Sequence, residues 1–284
     1  NNAFISYRNA IEAYENNYDT LFNVKAPLQL KKDLIRAAYR TGFKDEAQSY
    51  ERKYNLKYEA SDPNKGELLF FWNNGLGPIK GENSINFTIV AGQGGLVTFS
   101  NQEYGIDFPF YLPANNQNQQ SSLADLKLVR VAFPKYLERP TYYRSASIEN
   151  NGISFALEKA EDINQIAFKC LKDRMLRELA QSILRLATKK AAEYAVRNQN
   201  QDLGAVVGII YAVTEKAYTR NLQTLHYSIN YSRIPLAAGV QTVSLKTKAY
   251  DNRTQKEQAF QFNIQKGKTV FHGFQSLESL PVVY

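Results

Sequence analysis

Cysteine, methionine and tryptophan each occur once in this chain, and histidine twice. The lone thiol, Cys170, excludes a disulfide framework and any multi-cysteine metal site within one copy. His226 and His272 lack an H-x-x-x-H spacing and acid-rich neighbours, so nothing in their placement points to zinc. No G-x-S-x-G nucleophile turn and no Walker-type lysine loop is present. No apolar run reaches the roughly 18 residues that a membrane-crossing helix requires. The longest uncharged apolar stretch, LGAVVGIIYAV from Leu203 to Val213, falls well short. There is no starting Met and no signal segment. The opening NNAFISYRNA therefore reads as a chain whose beginning has been removed, and compartment is not legible from it.

What is present is an ordinary globular composition over 284 residues, with 44% hydrophobic and 22% charged side chains and a net charge of +8. Aromatics are rich, at 19 Tyr and 16 Phe. Tyr suits a wet surface as well as a core. Residues 3–58 read as helical. Phe4, Tyr7, Ile11, Tyr14 and Tyr18 recur at helical spacing. A second run, Leu28, Leu30, Leu34, Ile35, Ala38 and Tyr39, starts after Pro27 and stops at Gly42. Phe43, Ala47, Tyr50 and Tyr54 form a third. Small alanines where two helices approach, a Gly turn and an acidic start make LIRAAYRTGFKDEAQSYERKYN resemble one tetratricopeptide helix pair. A plain helical hairpin fits as well.

After the turn-rich ASDPNKGE the period changes to two. ELLFFW, SINFTIV, GLVTFS and DLKLVRVAFP read as strands, with PANNQNQQSS as a polar low-complexity loop. Helical spacing returns from Glu161 to Arg197, through Ile163, Ile166, Cys170, Leu176, Leu179, Ile183, Leu186, Ala191 and Ala195. On this stripe Cys170 is expected to be a buried, inert thiol. Glu161 and Asp162 sit where the helix starts, so they suit its dipole better than acid–base work. A more apolar helix follows over about 203–218. From Leu225 the chain reads as strands again, with Val243, Leu245 and Thr247, and Phe260, Phe262 and Ile264, alternating toward one side.

WNNGLGPIKGE, with Gly75, Gly77 and Gly81, superficially resembles a dinucleotide-binding turn. A phosphate cradle of that type needs a helix after the glycines. Here Pro78 removes an N–H and a strand follows, so a β-turn or widened hairpin is expected. GQGG (92–95) reads as a hairpin turn. The final residues from Lys216 carry nine Lys or Arg against three acidic side chains. Their aromatics have strand spacing, which core packing explains more directly than stacked bases. Nucleic acid is therefore not an expected partner.

VTEKAYTRNLQTLHYSINYSRIPLAAG, with the long helix before it and NGLGPIK upstream, resembles an uncharacterised family of bacterial cell-envelope lipoproteins. The positions that carry the match are Ala217, Thr219, Arg220, Leu225, Pro235, Leu236 and Gly239. Tyr218, Leu222 and His226 depart from the family pattern, where Asp, Trp and Pro stand. The resemblance implies a tetratricopeptide-like N-terminal part, an outer-membrane or periplasmic location and a lipid anchor on residues preceding this sequence. It also implies envelope or peptidoglycan maintenance without a known reaction. Arg220 is expected to pair with a helix C-terminus or an acidic side chain.

The expectation is thus an α+β fold in two parts. Residues 1–60 form a helical, tetratricopeptide-like module. Residues 61–284 hold strands over 66–134, a long helix pair over 161–218 and an antiparallel β-sandwich over 225–284. The expected function is a non-enzymatic envelope scaffold or adaptor without cofactor, offering Tyr7, Tyr14, Tyr18, Tyr39, Tyr50 and Tyr54 to a protein partner. The alternatives are a module binding anionic glycan or lipid through a basic C-terminal sandwich, and an enzyme of unrecognised type.

Overall fold

The computed structural model describes residues 2–91, 96–103, 105–111, 128–199, 220, 222–251 and 255–283. Two compact units are present. The first comprises Asn1–Ile79, Leu137–Lys169 and Leu222–Tyr284, and the second Lys80–Tyr136 and Cys170–Asn221. Strand exceeds helix over the described residues.

The first unit has three layers. Its middle layer is a sheet of order β12-β1-β9-β8, with β1 at Lys65–Leu76, β8 at Glu158–Asp162, β9 at His226–Ala237 and β12 at Thr269–Ser276. β1 runs parallel to β12 and antiparallel to β9. Alternation along β1 sends Leu68, Phe70 and Trp72 to one face and Leu69 and Phe71 to the other. The first set packs against a second sheet, β11-β10-β6-β7. That sheet is built from β6 (Tyr143–Asn150), β7 (Ile153–Ala156), β10 (Gly239–Ala249) and β11 (Gln255–Ile264). Ile148, Val243, Leu245 and Ile264 meet Ile234 and Leu236 there.

The opposite face of the middle sheet carries the N-terminal helices. These are α1 (Asn2–Ala13), a π-helical turn over Tyr14–Tyr18, α2 (Asp19–Phe22), α3 (Leu28–Thr41) and α4 (Lys44–Tyr54). α3 starts and stops where Pro27 and Gly42 require. Gly42 takes φ +88°, and Phe43 N–H reaches back to the Ala38 carbonyl at 3.0 Å, closing the last turn. Ala38 and Ala47 are fully buried, which allows close approach of α3 and α4.

Here the expected fold class is corrected. The chain is mostly β, and a tetratricopeptide-like N-terminal module is not shown. Phe4, Ile11, Leu30, Leu34 and Ala38 share one core with Leu69 and Tyr231 of the sheet. The helices thus bury their apolar faces on strands rather than on further helical repeats. The C-terminal strands do not form a sandwich of their own either. β9 and β12 flank β1, and β10 and β11 join β6 and β7. Of the expected helix pair, α5 spans Ile163–Gln199, and the second helix lies outside the described residues.

The second unit holds a sheet of order β4-β3-β2-β5, from β2 (Ile79–Ala91), β3 (Leu96–Asn101), β4 (Ile106–Tyr111) and β5 (Leu128–Leu137). Leu179 and Ile183 of α5 pack with Phe87, Phe99, Val131 and Phe133. The buried stripe of α5 is narrower than its spacing suggests, because Leu176 is 60% exposed. Cys170 is also exposed, which corrects the expectation of a buried thiol. Asp162 does cap α5, its Oδ1 accepting the Gln165 N–H at 2.9 Å.

The glycine stretch is structural, though not as a hairpin turn. β1 continues through Leu76, and β1 and β2 belong to different sheets. Gly75 sits at φ +65°, where an added Cβ would lie 2.7 Å from the Thr141 side chain. Gly77 N–H bonds the Leu225 carbonyl at 2.7 Å, and Arg139 Nε donates to the Gly77 carbonyl at 2.7 Å. GQGG lies outside the described residues, between β2 and β3, which pair antiparallel.

Candidate functional site

A cleft of about 750 Å³ opens in the first unit, beside α3 and over the outer face of the middle sheet. Helical spacing brings Gln29, Lys32, Asp33, Arg36 and Arg40 of α3 to it. The irregular segment after α4 supplies Lys57 through Pro63. The sheets add Glu67, Phe155, Glu158, Arg233 and Pro235.

At its base four charged side chains interlock. Arg233 donates from Nε to Asp33 Oδ1 at 2.8 Å and from Nη2 to Asp33 Oδ2 at 3.3 Å. Its Nη1 donates to Glu67 Oε2 at 2.8 Å, and Nη2 also reaches the Tyr7 hydroxyl at 3.2 Å. Arg36 donates to the other Glu67 oxygen. Thr269 Oγ1 adds a bond to Glu67 at 3.3 Å, and Gln29 Nε2 donates to Asp33 at 3.0 Å. Asp33 and Glu67 are both buried. Burial alone would raise the Glu67 pKa, but Arg36 and Arg233 outweigh it and hold the carboxyl below the ordinary range. Burial works against the Arg233 charge too, and Asp33 reverses that effect and raises it. Two guanidiniums against two carboxylates leave the base of the cleft electrically balanced.

Glu158 is also engaged. Its Oε2 accepts the Gln29 backbone N–H at 3.1 Å, capping the start of α3, where Pro27 offers no side-chain acceptor. The rim differs. Lys32, Arg40 and Lys57 are exposed and make no ion pair among the described residues. Arg40 bonds only the Ser61 hydroxyl, at 3.0 Å. Asp62 is held by Lys65 at 3.9 Å, and Glu59 is exposed. Ile35, Phe155 and Pro235 supply apolar wall.

The six tyrosines read from the sequence are half-buried, and none of them lines the cleft. Tyr7 accepts the bond from Arg233. Tyr14 donates to the Ala160 carbonyl, and burial pushes its pKa up to about 12. Tyr18 lies 5.4 Å from the Tyr14 ring. Tyr39 donates to Glu51 at 2.9 Å and stacks on Tyr58, which does line the cleft. Tyr50 stacks on Tyr54, and Tyr54 donates to Glu15 at 3.0 Å.

Of the lipoprotein-like positions, Pro235 lines the cleft and Leu236 is buried beneath it. Gly239 takes φ +106° at the start of β10. The Leu225 carbonyl is the acceptor for Gly77. Arg220 is exposed with no partner among the described residues. Ala217 and Thr219 lie outside the described residues. Two cations of the C-terminal strands are held in ion pairs. Lys246 meets Glu149 at 2.5 Å and Lys256 meets Glu278 at 3.0 Å.

Sequence reasoning missed Asp33, Arg36, Glu67 and Arg233. The available signal was Asp33, an acid on the apolar face of α3 between Leu30 and Leu34. Its partner stands 200 positions away.

Neither histidine reaches the cleft. The His272 ring sits about 5 Å from Phe70, Phe260 and Phe262, and burial holds its pKa down. Burial lowers His226 as well. A proton therefore binds the unfolded chain more strongly than the folded one. Stability should be full at neutral pH and fall as pH drops below about 6.5, the ordinary histidine value. Thermal melts between pH 7.5 and 5 should show that fall, and His272→Phe should flatten it. An unchanged slope in His272→Phe would refute the assignment.

No family model, no curated protein and no solved structure matches the chain.

Proposed function

We propose that this chain is a non-catalytic binding protein of the bacterial envelope whose cleft receives an acidic segment of a protein partner. The observation that carries the reading is the uneven pairing of charge in the cleft. Asp33, Glu67 and Glu158 are all engaged, while three cations at the rim, Lys32, Arg40 and Lys57, make no ion pair, against one carboxylate there, Glu59, that makes none either. Such a rim steers and holds an anionic ligand. The apolar wall and the volume suit a short peptide segment. General acid–base work needs a group free to exchange a proton at the operating pH. Asp33 and Glu67 are instead pinned by arginines, which supports binding over chemistry. The envelope location rests on the resemblance carried by Arg220, Leu225, Pro235 and Gly239. A lipid anchor on preceding residues would complete it.

A fluorescent Asp/Glu-rich peptide, followed by anisotropy, tests the reading. Lys32→Glu combined with Arg40→Glu and Lys57→Glu should weaken binding at least about tenfold, and raised salt should do the same. The wild-type chain should retain the same envelope protein from solubilised membranes, and the charge-reversed one should lose it. Equal retention by both would defeat the proposal. Charge reversal is the right control because deleting the helices would strip the core around Leu69 and Tyr231.

A further inference from the structure

Among the described residues the three sheets present six edges, and five carry a feature that discourages strand addition. β7 is only four residues long. β8 is charged and its register shifts between Lys159 and Glu161. β11 carries Lys256 and Glu257. β4 contains Asp107 and Pro109, and β5 contains Arg130 and Pro134. β12 differs. TVFHGFQS has no proline and no Lys, Arg, Asp or Glu, and it pairs with β1 over eight residues without a register shift. Phe271 is 67% exposed on it.

The phase of β12 is fixed by one bond. Glu67 N–H donates to the Lys268 carbonyl at 2.9 Å, so even-numbered residues turn their backbone groups to β1. Thr269, Phe271, Gly273 and Gln275 therefore turn theirs to the open side. The same four project side chains to the outer face, as the Thr269–Glu67 bond shows.

We infer that β12 is a self-pairing edge: two copies of this chain join antiparallel along it, with the two-fold axis at His272. In that register Phe271 lies opposite Gly273 of the second copy, and Thr269 opposite Gln275. Both pairs meet with outward N–H and C=O groups, so the exposed ladder is satisfied on both strands. A Cβ added at Gly273 meets nothing within 4 Å. The bare glycine thus leaves room for the partner's phenyl ring, twice per dimer, which is the cross-strand pairing that shields glycine in sheets. The product is a continuous eight-stranded sheet. The inference is independent of the cleft and its ligand.

Light scattering on the full chain at tens of micromolar should give twice the 32.3 kDa chain mass. Phe271→Lys should be monomeric with an unchanged circular dichroism melt, since the side chain is exposed. In a Cys170→Ser background, Phe271→Cys mixed with Gly273→Cys should form a mixed disulfide far faster than either alone, because the axis at His272 opposes those two positions. A monomeric wild type would overturn the inference. So would a dimer that survives Phe271→Lys, or cross-linking that is equal in the mixed and single preparations.

Discussion

Arg233→Ala should cost about 3–5 kcal/mol, because it breaks a buried network and takes the main partner of one buried carboxylate rather than removing a surface charge. Asp33 loses a two-point partner and Glu67 loses one of its two guanidiniums. Burial then weighs more on both, although Glu67 keeps Arg36 and Asp33 keeps its 3.9 Å contact with the same guanidinium. Trp72 is the only tryptophan, so urea unfolding followed by its emission reports this unit directly. The loss should be largest at neutral pH and shrink as acid neutralises these carboxylates. The wild type should behave in the opposite sense. Its Glu67 is held below the ordinary range, so the stability it contributes is present at neutral pH and lost as pH falls through the folded-state value. Arg233→Lys should recover part of the loss, since an ammonium cannot reproduce the two-point contact with Asp33. A cost under about 1 kcal/mol, the range of exposed ion pairs, would show that the network does not hold α3 to the sheet.

Trp72→Ala should cost a similar amount, about 3–5 kcal/mol, for a different reason. The indole is 1% exposed at the centre of the core between the two sheets of the first unit. Its Nε1–H donates to Ser276 Oγ at 2.7 Å, tying β1 to the end of β12. Truncation opens a cavity and leaves the Ser276 hydroxyl without that donor. Trp72→Phe keeps most of the volume and should cost less. Circular dichroism is the appropriate readout for both, since the fluorophore is gone. If Trp72→Ala melts within a degree of wild type, the packing described for this core is wrong.

Local signals were legible and long-range ones were not. Pro27 and Gly42 bracket α3 because each restricts the backbone at its own position. Val243, Leu245 and Thr247 alternate as a strand, and all three are buried in β10. Periodicity gives the face of a strand but not its neighbour. Nothing in ELLFFW specifies that β1 lies between β9 and β12. The helical start suggested a separate repeat module because Leu30, Leu34 and Ala38 look the same whether they meet a helix or a sheet. The cleft was hidden for the same reason. Asp33, Glu67 and Arg233 come from three distant segments, and their meaning arises only when the sheet brings them together.

β1 obtains both of its neighbours, β9 and β12, from the last quarter of the chain. During synthesis, both of its edges must wait for strands that emerge at least 150 residues later, while its helix-facing side can be covered at once. Contacts of such sequence separation close slowly and leave sticky intermediates exposed. A chain that also crosses a membrane before folding would need a holding chaperone throughout that interval. Any truncation that removes β12 would deprive the nascent protein of its closing strand.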